Sequence, residues 1–182
     1  MTSTEPHHAH ARWRIWADNL ARPEVWAVRL YRISHRLWHH RRCFLARAVA
    51  SIGQVLSGAE IDPAAEIGHN FRLAHSPGVV IGKNAVVGNG CHIRQCVTLG
   101  ARGESEAMPR IGNNVNIGAG AILLGPITVG DGAWIGAGAI VLCDVPPGCV
   151  AVGNPARILP PKEQRASTHT PKNSPTSLRS SC

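Results

Sequence analysis

The stretch "IGNNVNIGAGAILLGPITVGDGAWIGAGAIVL", residues 111–142, returns to Ile, Leu or Val at 111, 117, 123, 129, 135 and 141, a constant step of six. A helix repeats its apolar face near every 3.6 residues and a half-buried strand every two, so neither element alone selects every sixth position. An even step does return a side chain to one face of an extended chain, and Gly112, Gly118, Gly130 and Gly136 supply a bend after the anchor. Small or branched residues hold the fifth place of each hexad: Val115, Ala121, Ile127, Ala133, Ala139 and Val145. Three hexads per triangular turn would stack these positions into one continuous core. The spacing therefore predicts a mainly β chain wound as a parallel β-helix of hexapeptide repeats.

The same phase runs upstream through Ile81, Val87, Ile93 and Leu99, with Ala85, Cys91 and Val97 at the fifth place. Ile61, Ile67 and Leu73 form an earlier series, and two extra residues enter around "AHSPG", 74–78, before Ile81. A second break, "ARGESEAMP", 101–109, is polar where the next anchor should stand at 105. It reads as an excursion loop. Departures from a rigid repeat are where function is expected.

The 182 residues divide into a flexible N-terminus (1–10), a basic amphipathic helical segment (11–58), the repeat domain (59–158, with the excursion loop at 101–110) and a disordered Pro/Ser/Thr/Lys-rich tail (159–182). The formal charge of +8 is concentrated in residues 11–57, which hold nine Arg against Asp18 and Glu24. Trp26, Leu30, Ile33 and Leu37, then Leu45, Val49, Ile52 and Leu56, have helical spacing, with Pro23 at a helix start. Two uses follow: a helical cap on the open first coil that packs against neighbouring subunits, or peripheral contact with an anionic membrane through Arg and Trp. No nucleic-acid-binding pattern accompanies the charge, so nucleic acid is not an expected partner. No apolar run is long enough to span a membrane and "MTSTEPHHAHARWR" lacks the apolar middle of a signal peptide, so a cytoplasmic protein is expected. The six Cys form no CxxC pair and read as buried or half-buried thiols; His7, His8 and His10 read as a chance cluster, and no metal is expected.

Residues 60–157 resemble the hexapeptide acyltransferases with a left-handed parallel β-helix, most closely the serine acetyltransferase branch. "EIDPAAEIG", "AHSPGVVIGKNAVVGNG", "VTLGARG" and "VPPGCVAVGNPARI" carry the resemblance in order and spacing. It implies acetyl-CoA as co-substrate, transfer of acetyl to a hydroxyl, and homotrimers or dimers of trimers with sites between adjacent β-helices. It places the catalytic base at His75, with Glu60 as the paired carboxylate and Asp62 in reserve. The resemblance also implies the backbone N–H near Ala101 as the oxyanion donor and Gly100, Ala119 and Ala137 as positions along an acetyl-CoA groove. The chemistry suits the residues independently, because a hydroxyl attacking a thioester needs a base near neutral pH and a carboxylate can orient an imidazolium. Small residues at 100, 119 and 137 are equally what hexad packing requires.

Serine acetyltransferases carry Asp before the catalytic His and an Arg-His pair before the Pro of the excursion loop. Here those places hold Ala74 and Ala107-Met108, and the loop is about two residues shorter. The pattern is similar to serine acetyltransferase-like enzymes of polysaccharide pathways, including the colanic-acid type. It implies a saccharide or related polar acceptor held by Arg102, Glu104 and Glu106, with L-serine as the alternative. Two readings of other kinds stand beside these. One is a non-catalytic scaffold bound through the basic helices; the other is a metal-dependent hydratase of the gamma carbonic anhydrase type using His69, His75 and His92. The C-terminal "RSSC" lacks the terminal Ile by which serine acetyltransferases dock onto cysteine synthase, so that partner is not expected.

Overall fold

The computed structural model describes residues 22–161; the expectations for 1–21 and 162–182 lie outside the described residues. Two helices, α1 (Pro23–His39) and α2 (Cys43–Ser57), precede β1 (Glu60–Ile61), β2 (Glu66–Ile67), β3 (Arg72–Ala74), β4 (Val80–Ile81), β5 (Val86–Val87), β6 (His92–Arg94), β7 (Thr98–Gly100) and β8 (Arg110–Ile111). β9 (Asn116–Ile117), β10 (Ile122–Leu124), β11 (Thr128–Val129), β12 (Trp134–Ile135), β13 (Ile140–Val141), β14 (Val150–Val152) and β15 (Arg157–Leu159) follow. Every third strand pairs in parallel up to β13, and β12 then pairs with β14, giving three faces. Face A is β1-β4-β7-β10-β13, face B is β2-β5-β8-β11, and face C is β3-β6-β9-β12-β14, edged by antiparallel β15.

The hexad anchors and fifth-place residues form the core. Ile81, Ile93, Leu99, Leu123, Ile135 and Val141 are fully buried, as are Ala85, Val97, Val115, Ala121, Ala133 and Ala139. The loop after β7 removes one whole hexad from the wall without breaking its phase. Ile111 therefore takes the face-B place between Val87 and Val129. Gly shows why bends need it at the corners: a Cβ on Gly118 would stand 2.5 Å from the main-chain N of Ala137 in the next coil. At the corner between faces B and C, Asn89, Asn113 and Asp131 form a side-chain ladder, each oxygen accepting a main-chain N–H of the coil before.

α1 starts at Pro23, whose missing N–H is no loss in a first turn, with Glu24 at its start and Arg36 and His39 near its end, as the helix dipole favours. α2 ends at Gly58 in the left-handed conformation, its N–H closing on Gln54 O. Together they cover the first coil. Tyr31 Oη donates to Ala65 O at 2.7 Å and accepts from Ile67 N at 3.2 Å, and Arg32 donates to the carbonyls of Ile67 and Gly68.

The face they bury differs from the one expected. Inward positions are Ala27, Tyr31 and Ser34 on α1 and Ala46, Gly53 and Ser57 on α2, whereas Ile33, Leu45, Ile52 and Leu56 are exposed. Close approach of the helices explains the shift, since Gly53 lies against Leu30 Cβ and leaves no room for a large side chain. Phe44 and Val55, at 84% and 85% exposure, extend the apolar surface of α2 outward. No helix among the described residues is long and apolar enough to cross a membrane. The thiols also differ from expectation. Cys91 is buried and its pKa is raised by burial, but Cys43, Cys96 and Cys143 are exposed.

Candidate active site

The two-residue interruption at 74–78 becomes a bulge at the corner between faces C and A. Corner hydrogen bonds run Cys96 N to Pro77 O, Gly120 N to Gln95 O and Gly138 N to Ala119 O, so Pro77, Gln95, Ala119 and Ala137 form one column. His75 and Ser76 are the extra residues at its head. Ser76 is fully buried and donates to Ser57 O at 2.6 Å, while Gly78 N donates to Gly58 O. The bulge is thus pinned to the end of α2, and His75 is pushed into solvent. Its φ of 66° is left-handed, but so are those of Asn70, Asn84 and Asn114 at other corners, so that angle marks the bend rather than the chemistry.

Glu60 opens β1 beside this bulge. Its Oε2 accepts from Gln54 Nε2 at 3.2 Å, across a cavity of about 250 Å³ that Arg47 and Asp62 also line. Among the described residues no hydrogen bond joins His75 to Glu60. Asp62 uses Oδ1 to accept from Ala64 N at 2.7 Å, which shapes the turn after β1. Gln54 and Ser76 were not singled out from sequence; helical spacing of Gln54 ahead of the β1 carboxylate was the one available signal.

Ala119 and Ala137 meet in a second cavity of about 240 Å³ on face C, with His92, Arg94, Asn116 and Trp134. Burial, then Arg72 and Arg94, hold the His92 pKa below its usual value. Gly100 stands apart from this cavity. It ends β7 at the opposite edge of face A, and the Ala101 N–H that follows finds no carbonyl partner among the described residues. Ala101 lies six residues beyond Gln95, so that edge lies roughly 15–20 Å from the His75 corner within one chain.

The excursion loop turns tightly, with an Arg102–Ser105 bridge and Ala107 N donating to Ser105 Oγ at 3.2 Å. Arg102, Glu104 and Glu106 are exposed on it. Met108, by contrast, is half-buried against the core and lies over Gly82. His69, His75 and His92 form no three-residue donor group among the described residues.

The stretch 108–145 matches the family described as bacterial transferase hexapeptide (six repeats), and 74–95 matches the hexapeptide repeat of succinyl-transferase. A serine acetyltransferase of Helicobacter pylori is 41% identical over 146 residues, covering 79% of this chain and 85% of that one. Serine acetyltransferase 2 of Arabidopsis thaliana is 41% identical over 141 residues, but the chain spans only 44% of its length. The solved structure of soybean serine acetyltransferase complexed with serine aligns at a TM-score of 0.71 and 46% identity, over 73% of this chain and 56% of that one. A serine acetyltransferase structure in complex with CoA aligns at 0.70 and 42% identity, over 73% and 55%.

Proposed function

This chain belongs to the serine acetyltransferase family of hexapeptide-repeat proteins, and on that premise we propose that it transfers acetyl from acetyl-CoA to the side-chain hydroxyl of L-serine. The observation that carries the reading is the His75 bulge at the head of a corner lined below by Ala119 and Ala137. Small side chains there leave a path for the pantetheine arm to run along the corner and bring its thioester to the imidazole. A relative of this chain is solved with CoA, and another with serine, which favours that donor and acceptor.

In the proposed reaction, His75 accepts the proton of the acceptor hydroxyl as its oxygen attacks the thioester carbonyl. The tetrahedral oxyanion needs a preorganised donor, and the Ala101 N–H, which has no carbonyl partner among the described residues, is one. Collapse breaks the C–S bond, and the leaving thiolate takes the proton from the imidazolium, yielding the acetyl ester and CoA. Glu60 stabilises the transient charge once it exchanges Gln54 for the ring. His75 and Ala101 stand at opposite edges of face A, so a complete site takes Ala101 and its loop from a second copy of the chain. Face A supplies a surface for that contact, since Val80, Ile122 and Ile140 point outward and are half-buried.

A saccharide acceptor is the second reading. It is favoured by Ala74 and Ala107 at places where charge would suit an amino acid, and by Met108 facing the core instead of the loop's outer side. The relatives reported above act in name on serine, which ranks this reading second. Release of CoA from acetyl-CoA, with L-serine beside a panel of sugars and nucleotide sugars and with His75→Ala as control, separates the two. Turnover of L-serine lost in the variant is expected; turnover confined to sugars would reverse the order.

A further inference from the structure

An amino-acid acceptor brings a carboxylate, which must be desolvated beside His75 and needs a cation there; the one cation so far assigned to the acceptor, Arg102, comes on the second copy's loop beside Glu104 and Glu106, and the chain that carries His75 has been assigned none. We propose that Arg94 is the acceptor-selecting residue of this site, binding the α-carboxylate of L-serine through its guanidinium. The inference rests on the L-serine reading and names the group that would make it work.

Register places Arg94 where the requirement arises. Arg94 is the Cα partner of Ala74, the residue immediately before His75, on the neighbouring rung of face C. Adjacent parallel strands lie about 4.8 Å apart, so the Arg side chain starts within one rung of the bulge. Ile93 points into the core, which turns His92 and Arg94 outward, and both line the cavity that reaches Ala119 and Ala137 at the corner. A carboxylate at the Arg94 end of that cavity would be held on the face-C side of the corner, with the Ala119 and Ala137 end left to the pantetheine arm and the serine hydroxyl free to turn toward the imidazole.

The strands of this face carry positive charge only, and the nearest carboxylate among the described residues, Glu24 of α1, lines a cavity with Arg72 and not with Arg94. No strand of face C carries Asp or Glu, while Arg72, Arg94 and Arg157 all stand on it. Of these, Arg72 sits two residues further from the corner on β3, and Arg157 is at the far edge on β15. Arg94 is therefore the cation closest in register to His75. A planar guanidinium also matches a carboxylate with two parallel hydrogen bonds, which a single ammonium cannot reproduce.

The test is steady-state kinetics on the full chain with L-serine and with L-serinamide, which lacks the carboxylate, for wild type, Arg94→Ala, Arg94→Lys and the charge control Arg72→Ala. For Arg94→Ala, KM for L-serine should rise at least tenfold, KM for acetyl-CoA should stay within twofold, and L-serinamide turnover should match wild type. Arg94→Lys should recover part of the loss, and Arg72→Ala should change KM for L-serine less than threefold. Circular dichroism and thermal midpoints check that the exposed substitution leaves the fold intact. An unchanged KM for L-serine, an equal loss with L-serinamide, or a rise confined to acetyl-CoA would each overturn the assignment of Arg94. A wild-type chain that acetylates sugars and not L-serine would overturn the acceptor reading itself, and this inference with it.

Discussion

Tyr31 of α1 donates its phenolic proton to the carbonyl of Ala65 in the first coil, 34 residues away, and accepts from the N–H of Ile67 with the same oxygen. One hydroxyl thus ties the helical cap to the open end of the β-helix. Tyr31→Phe would leave a buried carbonyl and N–H unpaired, at a cost of about 1–3 kcal/mol. We expect a fall of several degrees in Tm, measured by circular dichroism. Burial pushes the Tyr31 pKa up to about 12 from 10.0. The folded state therefore keeps a proton that the unfolded chain releases, so wild type should lose stability as pH rises above about 10. The Phe variant should lack that part of the alkaline slope; equal slopes would mean that other groups govern it.

Asp131 ends the ladder at the corner between faces B and C, accepting from Asn113 N at 2.7 Å and from its side-chain amide. Those bonds, first the main-chain one, hold its pKa below the usual 3.8. A lowered carboxylate pKa contributes stability that is present above the unfolded value and is lost as pH falls through the folded one. Urea midpoints of Asp131→Asn followed from pH 5 downward should show a shallower acid loss than wild type. Parallel curves would assign the loss to other carboxylates.

His75 is exposed and makes no side-chain hydrogen bond among the described residues, so His75→Ala should leave Tm within a degree or so of wild type. If it is the base, kcat should fall by about 10²–10⁴-fold. An active variant would transfer that role elsewhere, with His92 in the face-C cavity as the next residue to replace.

Gly118 and Gly100 separate packing from binding among the small residues near the proposed acetyl-CoA path. A Cβ at Gly118 would meet the backbone of Gly136 and Ala137 at 2.8 and 2.5 Å, which cannot move without shifting a coil. Gly118→Ala should cost about 1–3 kcal/mol or more. At Gly100 the nearest atom would be the flexible end of Leu124 at 3.3 Å, so Gly100→Ala should fold normally. A raised KM for acetyl-CoA in that variant, at unchanged Tm, would assign Gly100 to the donor path; an unchanged KM would leave it a packing residue.

Much of this could be read along the chain. Anchors from Ile61 to Val141 are buried where the step of six put them, and the missing anchor at 105 is a loop. The bulge at His75 was visible as two surplus residues between Leu73 and Ile81. The helical segment was harder. Its large apolar residues suggested the inward face, yet tight contact between α1 and α2 selected Ala27, Ala46 and Gly53. Helical spacing shows that a stripe exists but not whether a close neighbour can admit large side chains beneath it.

The period, the buried residues and the two interruptions were determined by the sequence itself, because a repeat of six is a local property and apolar burial follows it. Only the tertiary structure decided which residues from different coils meet. Winding sets Arg94 beside Ala74, carries Ser76 to Ser57, turns Glu60 toward Gln54, and puts Ala101 on the opposite edge of face A from His75. Those distances depend on how many residues each coil contains and where the surplus bulges out, so they are fixed by register across the solenoid rather than by any one hexad.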